Sequence, residues 1–139
     1  MKTPYDTALR ARQREVDDLR VAIGAAAAQA DQALARKRAA YDAAEREKEM
    51  SAILSLSFPA HAYFRRAGAE RDALTRLCAD ADAALDALRA EASESYGSLR
   101  VLQTAADTFR EEAGRAAAVA EQARIDDFSA ARWVGARAR

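Results

Sequence analysis

The chain has only two prolines, Pro4 and Pro59, and each stands where a helix can begin. With five glycines besides, it lacks the turn material that a many-stranded or many-looped fold needs. What remains is rich in alanine, arginine, glutamate, aspartate and leucine, the composition of long helices or a coiled coil. The apolar half of the sequence is deceptive, since about 39 of its roughly 70 residues are alanine. The remaining large apolar side chains are too few for a compact globule of 139 residues. A catalytic α/β domain is therefore not expected.

The first helix has a readable start. Thr3 can cap it, Pro4 suits the first helical position, and Asp6 supplies a variant of the capping box. Apolar positions then step by three or four through Tyr5, Leu9, Val16, Leu19, Ile23, Ala27, Ala30, Leu34 and Tyr41. Leu9, Val16, Ile23 and Ala30 are seven apart, one seam of a coiled coil, while Leu19–Ile23–Ala27 reads as a stutter. The spacing predicts a helix over about 4–54, on the order of 75 Å long. Charge then disappears, serines recur, and Pro59 cannot lie deep in a helix, so 55–58 reads as a turn capped by Ser57. A second helical run is expected over about 59–134, ended by Gly135. Its seam reads Leu74, Leu77, Ala81, Leu85, Leu88, Ala92, Tyr96, Leu99, Leu102, Ala106, Phe109 and Ala113, with Gly68 and Gly97 as candidate break points.

Two helices with one narrow apolar stripe each cover those stripes most cheaply with each other. The fold expected is all-α, a single domain over 1–139 forming a long antiparallel two-helix coiled-coil hairpin with unequal arms. A turn near Leu56 sets Leu9 against Ala105–Ala106 and Tyr5 against Phe109. Everything from about Arg110 then projects as a lone helix carrying Val119, Ile125, Phe128, Trp133 and Val134. A turn at Gly68 would instead pair Leu9 with Phe128 and Val16 with Ala120. We favour the first, because Pro59 and the serines are stronger breakers than one glycine.

Charge and motifs narrow the function. Lys plus Arg balance Asp plus Glu at 22 each, so nothing general draws the chain to nucleic acid or an anionic membrane. The longest uncharged run, from Met50 to Phe64, is too short for a membrane span. The single cysteine, Cys78, has no internal partner, and the start Met1–Asp6 has no apolar core of a secretion signal, which together point to the cytoplasm. Asp80, Asp82 and Asp86 diverge around a helix and read as a solvated acidic face, not a metal site. His61 reads as an exposed ring, and Cys78 as a small packing residue without a histidine to activate it. Neither catalytic residues nor a cofactor are expected. What stands out are apolar knobs. Met50, Ile53, Leu54, Leu56, Phe58, Tyr63 and Phe64 surround the turn, either closing it on themselves or forming a docking surface. Trp133 follows an acidic, aromatic and basic run near the other end. Tyr41 fits either the seam or an exposed anchor.

The opening stretch Ala8–Asp18, the uncharged break followed by Phe58 to Phe64, and above all Ile125-Asp126-Asp127-Phe128-Ser129-Ala130-Ala131-Arg132 resemble the FliJ family of the bacterial flagellar type III export apparatus. The resemblance spans nearly the whole chain, which is richer in alanine than typical members. It implies a non-enzymatic stalk in the bacterial cytoplasm, held peripherally at the inner membrane, whose paired terminal ends enter the export ATPase ring. It further implies contacts with the export-gate membrane protein and export chaperones. Carried over, the ring end would comprise Leu9, Arg12, Val16, Ile125, Asp127, Phe128, Arg132 and Trp133. The gate or chaperone face would comprise Tyr41, Phe58, Tyr63 and Phe64. Glu45, one turn after Tyr41, does not supply the second tyrosine of the family pattern. A structural adaptor or self-assembling scaffold, and the equivalent stalk of a virulence injectisome, are the alternatives, and self-association stays open.

Overall fold

A computed structural model describes residues 1–54 and 60–137. It contains two α-helices, α1 (Asp6–Leu54) and α2 (Ala60–Arg137). They run antiparallel and pack against each other, an all-α helical hairpin. The turn expected at 55–58, its cap Ser57 and the proline at 59 lie outside the described residues, as do the side chains of Leu54, Leu56 and Phe58. Helix α2 is continuous through both Gly68 and Gly97 and passes Gly135 to end at Arg137. Glycine lowers helix propensity by about 1 kcal/mol but does not forbid the conformation, and neighbouring turns hold it. No helix among the described residues is long and apolar enough to cross a membrane.

The chain forms two compact units, Glu15–Ser95 in one and Met1–Arg14 with Tyr96–Arg139 in the other. In the larger unit the ladder of α1 runs through Val16, Leu19, Ile23, Ala26, Ala30, Ala33, Lys37, Ala40 and Ala44, all buried or half-buried, with Glu15, Ala22, Ala27 and Ser51 half-buried outside that run. That of α2 includes Ala67, Arg71, Leu74, Cys78, Ala81, Leu85, Leu88, Ala92 and Ser95. Both series alternate steps of three and four without a break, so each helix keeps a heptad a/d ladder. The expected stutter at Ala27 does not displace the ladder, which runs on through Ala26 and Ala30.

Keeping strict phase changes which residues are inside. Leu34, Leu77 and Tyr96, expected on the seam, are exposed, with Tyr96 at 49%, and Tyr41, which fitted either the seam or an exposed anchor, is exposed as well. Their smaller neighbours Ala33, Ala44, Cys78 and Ser95 occupy the ladder instead. Burying a leucine yields more than burying an alanine, about 25 cal/mol per Å². To gain it at Leu77, however, the helix would have to rotate by a third of a turn and lift Leu74 and Leu85 from their partners. The ladder also carries one polar bridge. The Ser95 hydroxyl, 5% exposed, donates to Glu15 Oε1 at 3.1 Å.

In the smaller unit, Leu9 of the chain start lies by the α2 ladder Leu99, Leu102, Ala106, Phe109 and Ala113, where Ala106 is fully buried and Phe109 stays 37% exposed, and Tyr5 is half-buried. Leu9, Arg10 and Gln13 form an open groove with Leu99, Gln103, Asp107 and Arg110. Arg110 Nη2 lies 3.7 Å from Asp6 Oδ1. The register is the favoured one, with Leu9 among Leu99, Gln103, Asp107 and Arg110. The rival pairing of Leu9 with Phe128 and Val16 with Ala120 is excluded, since Phe128 and Ala120 are both exposed.

Candidate partner-docking surfaces

The end of the covered stretch in the smaller unit is built from the first residues of the chain. The Thr3 amide donates to Asp6 Oδ2 at 3.0 Å, and the Thr3 hydroxyl donates to the other carboxylate oxygen. This is the returning half of a capping box, with the hydroxyl serving the carboxylate rather than a backbone amide. These two Thr3 donors, then the Arg110 and Arg10 guanidiniums, hold the Asp6 carboxyl below the usual carboxylate range. Arg110 in turn binds Asp107 at 2.7 Å. Asp6 therefore ties the start of α1 to α2 at Arg110. One turn further on, Ala113 is the last α2 residue with any cover.

Past it, every described residue from Gly114 to Arg137 is exposed. This tail is on the order of 35 Å of single helix. It bears Val119 at 70%, Ile125 at 51%, Phe128 at 66% and Trp133 at 62% exposure, with Val134 similarly open. Aromatic rings left in water on a helix are unusual anchors, and here each is flanked by arginine. Arg132 lies 6.0 Å from the Phe128 ring centroid and Arg137 lies 4.2 Å from that of Trp133. A guanidinium over an aromatic ring is a cation–π contact worth about 0.5–1 kcal/mol at exposed sites. Gln122 donates to Asp126 at 2.8 Å, and Arg124 lies 3.7 Å from Glu121. Asp127 is exposed.

The residues expected at one end thus separate into two kinds. Ile125, Asp127, Phe128, Arg132 and Trp133 form an open tail surface. Val16 is buried at 4% in the larger unit, and Leu9 and Arg12 are half-buried in the smaller. Val16 and Leu9 spend their apolar area on holding helices together and offer little to a partner. Nor does the fold bring Leu9 to Phe128. Leu9 packs by Leu99 and Arg110, and Phe128 stands five turns beyond Arg110 along the lone helix.

In the larger unit, Tyr41 is an exposed flank residue with Arg71 stacked 5.1 Å from its ring centroid. Tyr63 lines an open groove with Ala40, Ala43, Ala44, Arg66, Ala67 and Glu70. Its ring meets the half-buried Phe64 edge to face at 5.4 Å. Met50 and Ile53 are exposed rather than folded inward. Phe58 lies outside the described residues. Among the described residues no group of histidine, cysteine, aspartate or glutamate could hold a metal ion. Cys78 is half-buried.

One feature of the tail escaped a reading by side-chain size. The α2 ladder continues in phase past Ala113 through Ala116, Ala120, Ala123, Asp127, Ala130 and Val134. Spacing alone carried that signal, because every one of these positions follows from adding three and four to Ala113. The chain matches no protein-family model, no curated protein and no solved structure.

Proposed function

We propose that the chain is a non-enzymatic coiled-coil stalk of the bacterial flagellar type III export apparatus. Its exposed tail engages the export ATPase ring, and it sits in the cytoplasm at the inner membrane. The observation that carries the reading is the inequality of the arms. Helix α2 outruns the cover supplied by the chain start and presents Ile125, Phe128, Arg132 and Trp133 to solvent. A lone amphipathic helix gains stability only by docking, and exposed aromatics with arginine are the residue types that anchor interfaces. The resemblance of Ile125–Arg132 to the terminal stretch of the FliJ family names the partner. The aromatic surface of Tyr41 and Tyr63 with half-buried Phe64 is the corresponding site for the export-gate protein or an export chaperone.

The reading narrows the ring-binding set to the tail, because Leu9 and Val16 are committed to the helix pair. The test is ATP turnover and hexamer assembly of the cognate export ATPase with and without the purified chain. Stimulation is expected, and Phe128→Ser with Ile125→Ser should reduce it several-fold while helix content by circular dichroism is unchanged. An ATPase indifferent to the intact chain overturns the proposal. The same geometry would serve an injectisome, and the neighbouring genes separate the two systems.

A further inference from the structure

We propose that the tail of α2 pairs antiparallel with the tail of a second copy of this chain. The ladder Leu99, Leu102, Ala106, Phe109 and Ala113 is an established helix–helix interface, covered by the chain start. It runs without change of phase into Ala116, Ala120, Ala123, Asp127, Ala130 and Val134, where no described residue covers it. The tail face is therefore the continuation of an interface already in use. On the flank beside it stand Val119 and Trp133, whereas Ile125 and Phe128 point to the opposite side of the helix.

Shape selects the occupant and its direction. The early end of the tail ladder is small, Ala116 and Ala120 with Val119 beside them. The late end is large, Val134 with Trp133 beside it. Reversing one copy against the other, with the two-fold near Ile125, lays Val134 on Ala116 and Trp133 along Val119, twice per dimer. A parallel pair would oppose Val134 to itself and leave alanine facing alanine, with voids that close packing disfavours.

Charge selects the same arrangement independently. Asp127 is the one charged ladder residue between Leu99 and Val134. In a parallel pair it would confront its own copy inside the seam, where like charges repel strongly. In the antiparallel pair it faces Ala123 and comes within reach of Arg124 of the other copy, so that two arginines and two aspartates alternate across the two-fold. Arg124 is free to change partners, since its contact with Glu121 is long at 3.7 Å and solvent-exposed, with little to lose.

The experiment uses the full chain in sedimentation equilibrium. A monomer–dimer equilibrium across micromolar concentrations is expected. Arg124→Glu and Asp127→Arg should each weaken dimerisation roughly tenfold, a change of about 1.4 kcal/mol. Mixed one to one, the two variants should recover a heterodimer of near-native strength, because both cross-pairs are again opposite in sign. Spin labels at Arg115→Cys or Ser129→Cys, in a Cys78→Ala background, read direction. Antiparallel pairing sets the two labels at 115 about 30 Å apart and brings those at 129 within about 20 Å. A chain monomeric at every concentration overturns the proposal. So does a dimer indifferent to both charge reversals, or one whose labels at 115 lie close together. The inference does not rest on the export reading. Ile125 and Phe128 stay outside the pair, so their substitution tests the ATPase contact while leaving dimerisation intact.

Discussion

Within the smaller unit, α2 offers two consecutive stretches with the same ladder phase and opposite fates. From Leu99 to Ala113 the ladder is covered by the chain start; from Gly114 to Arg137 it is bare. Phase does not distinguish them. Size does in part, since the covered stretch has Leu99, Leu102 and Phe109 on its ladder whereas the tail has alanines, one aspartate and a terminal valine. The boundary itself is set by where α1 begins, through the Thr3–Asp6–Arg110 contacts. A helix pattern thus states which face can be buried, and the residues packed beside it decide how much of it is.

The largest effect should come from removing one side chain in each stretch. Leu99 is 4% exposed, and Leu99→Ala should cost about 2–3 kcal/mol, the lower part of the range for core leucines because a two-helix seam can close around the gap. Val119 is 70% exposed, and Val119→Ala should change stability by less than about 0.5 kcal/mol, with the gain in helix propensity offsetting any loss. Urea unfolding followed by circular dichroism, at concentrations where the chain is monomeric, checks both. Equal costs at the two sites would erase the distinction between covered and bare ladder.

Much of this was legible from residue order. The antiparallel register followed from the break that Pro59 and its serines signal in the sequence, and with it the exposure of Ile125, Phe128 and Trp133 on a lone helix. What misled was size. Leu77 and Tyr96 are better seam residues than Cys78 and Ser95 when judged one at a time, and likewise Leu34 against Ala33. A helix buries a continuous stripe and cannot rotate for single residues, so an unbroken three-four spacing outweighs a local gain of one leucine. Leu9 and Val16, grouped with the tail as one binding end, lie instead on the seam between the helices. Both are seam residues, and a side chain that holds the hairpin together is not available to a partner.

A smaller effect concerns how the larger unit keeps its register. Ser95 occupies a ladder position that an apolar residue could fill, and its bond to Glu15 is the polar bridge between the helices there. Alanine-rich seams slide easily because each step presents a similar surface. A directional bond at one rung penalises a shifted alignment, as a buried polar residue does in coiled coils generally. Ser95→Ala should therefore cost only about 1 kcal/mol in stability. A double-mutant cycle with Glu15→Gln should return a coupling energy of several tenths of a kcal/mol. Additivity of the two substitutions would show that the 3.1 Å contact contributes nothing to alignment.

The smallest effect, and the one aimed at the boundary between the two stretches, is a pH dependence at Asp6. Its carboxyl is held below the usual range first by the Thr3 hydroxyl, then by the Thr3 amide, with Arg110 and Arg10 adding attraction. A carboxylate whose folded pKa lies below its unfolded value stabilises the fold above the unfolded value. That contribution fades as pH falls through the folded pKa. Acidification should accordingly loosen the start of α1 from Arg110 before it affects Leu99 or Val16, whose contacts carry no charge. In NMR, the Asp6 carboxyl carbon should titrate below the ordinary range of an aspartate carboxyl, and amides from Asp6 to Leu9 should lose hydrogen-exchange protection on the acid side. Thr3→Val removes the hydroxyl donor and keeps the amide, so it should move the Asp6 titration upward while leaving a residual depression. An Asp6 that titrates in the ordinary aspartate range in the unaltered chain would mean that something other than this cap fixes where the bare ladder begins.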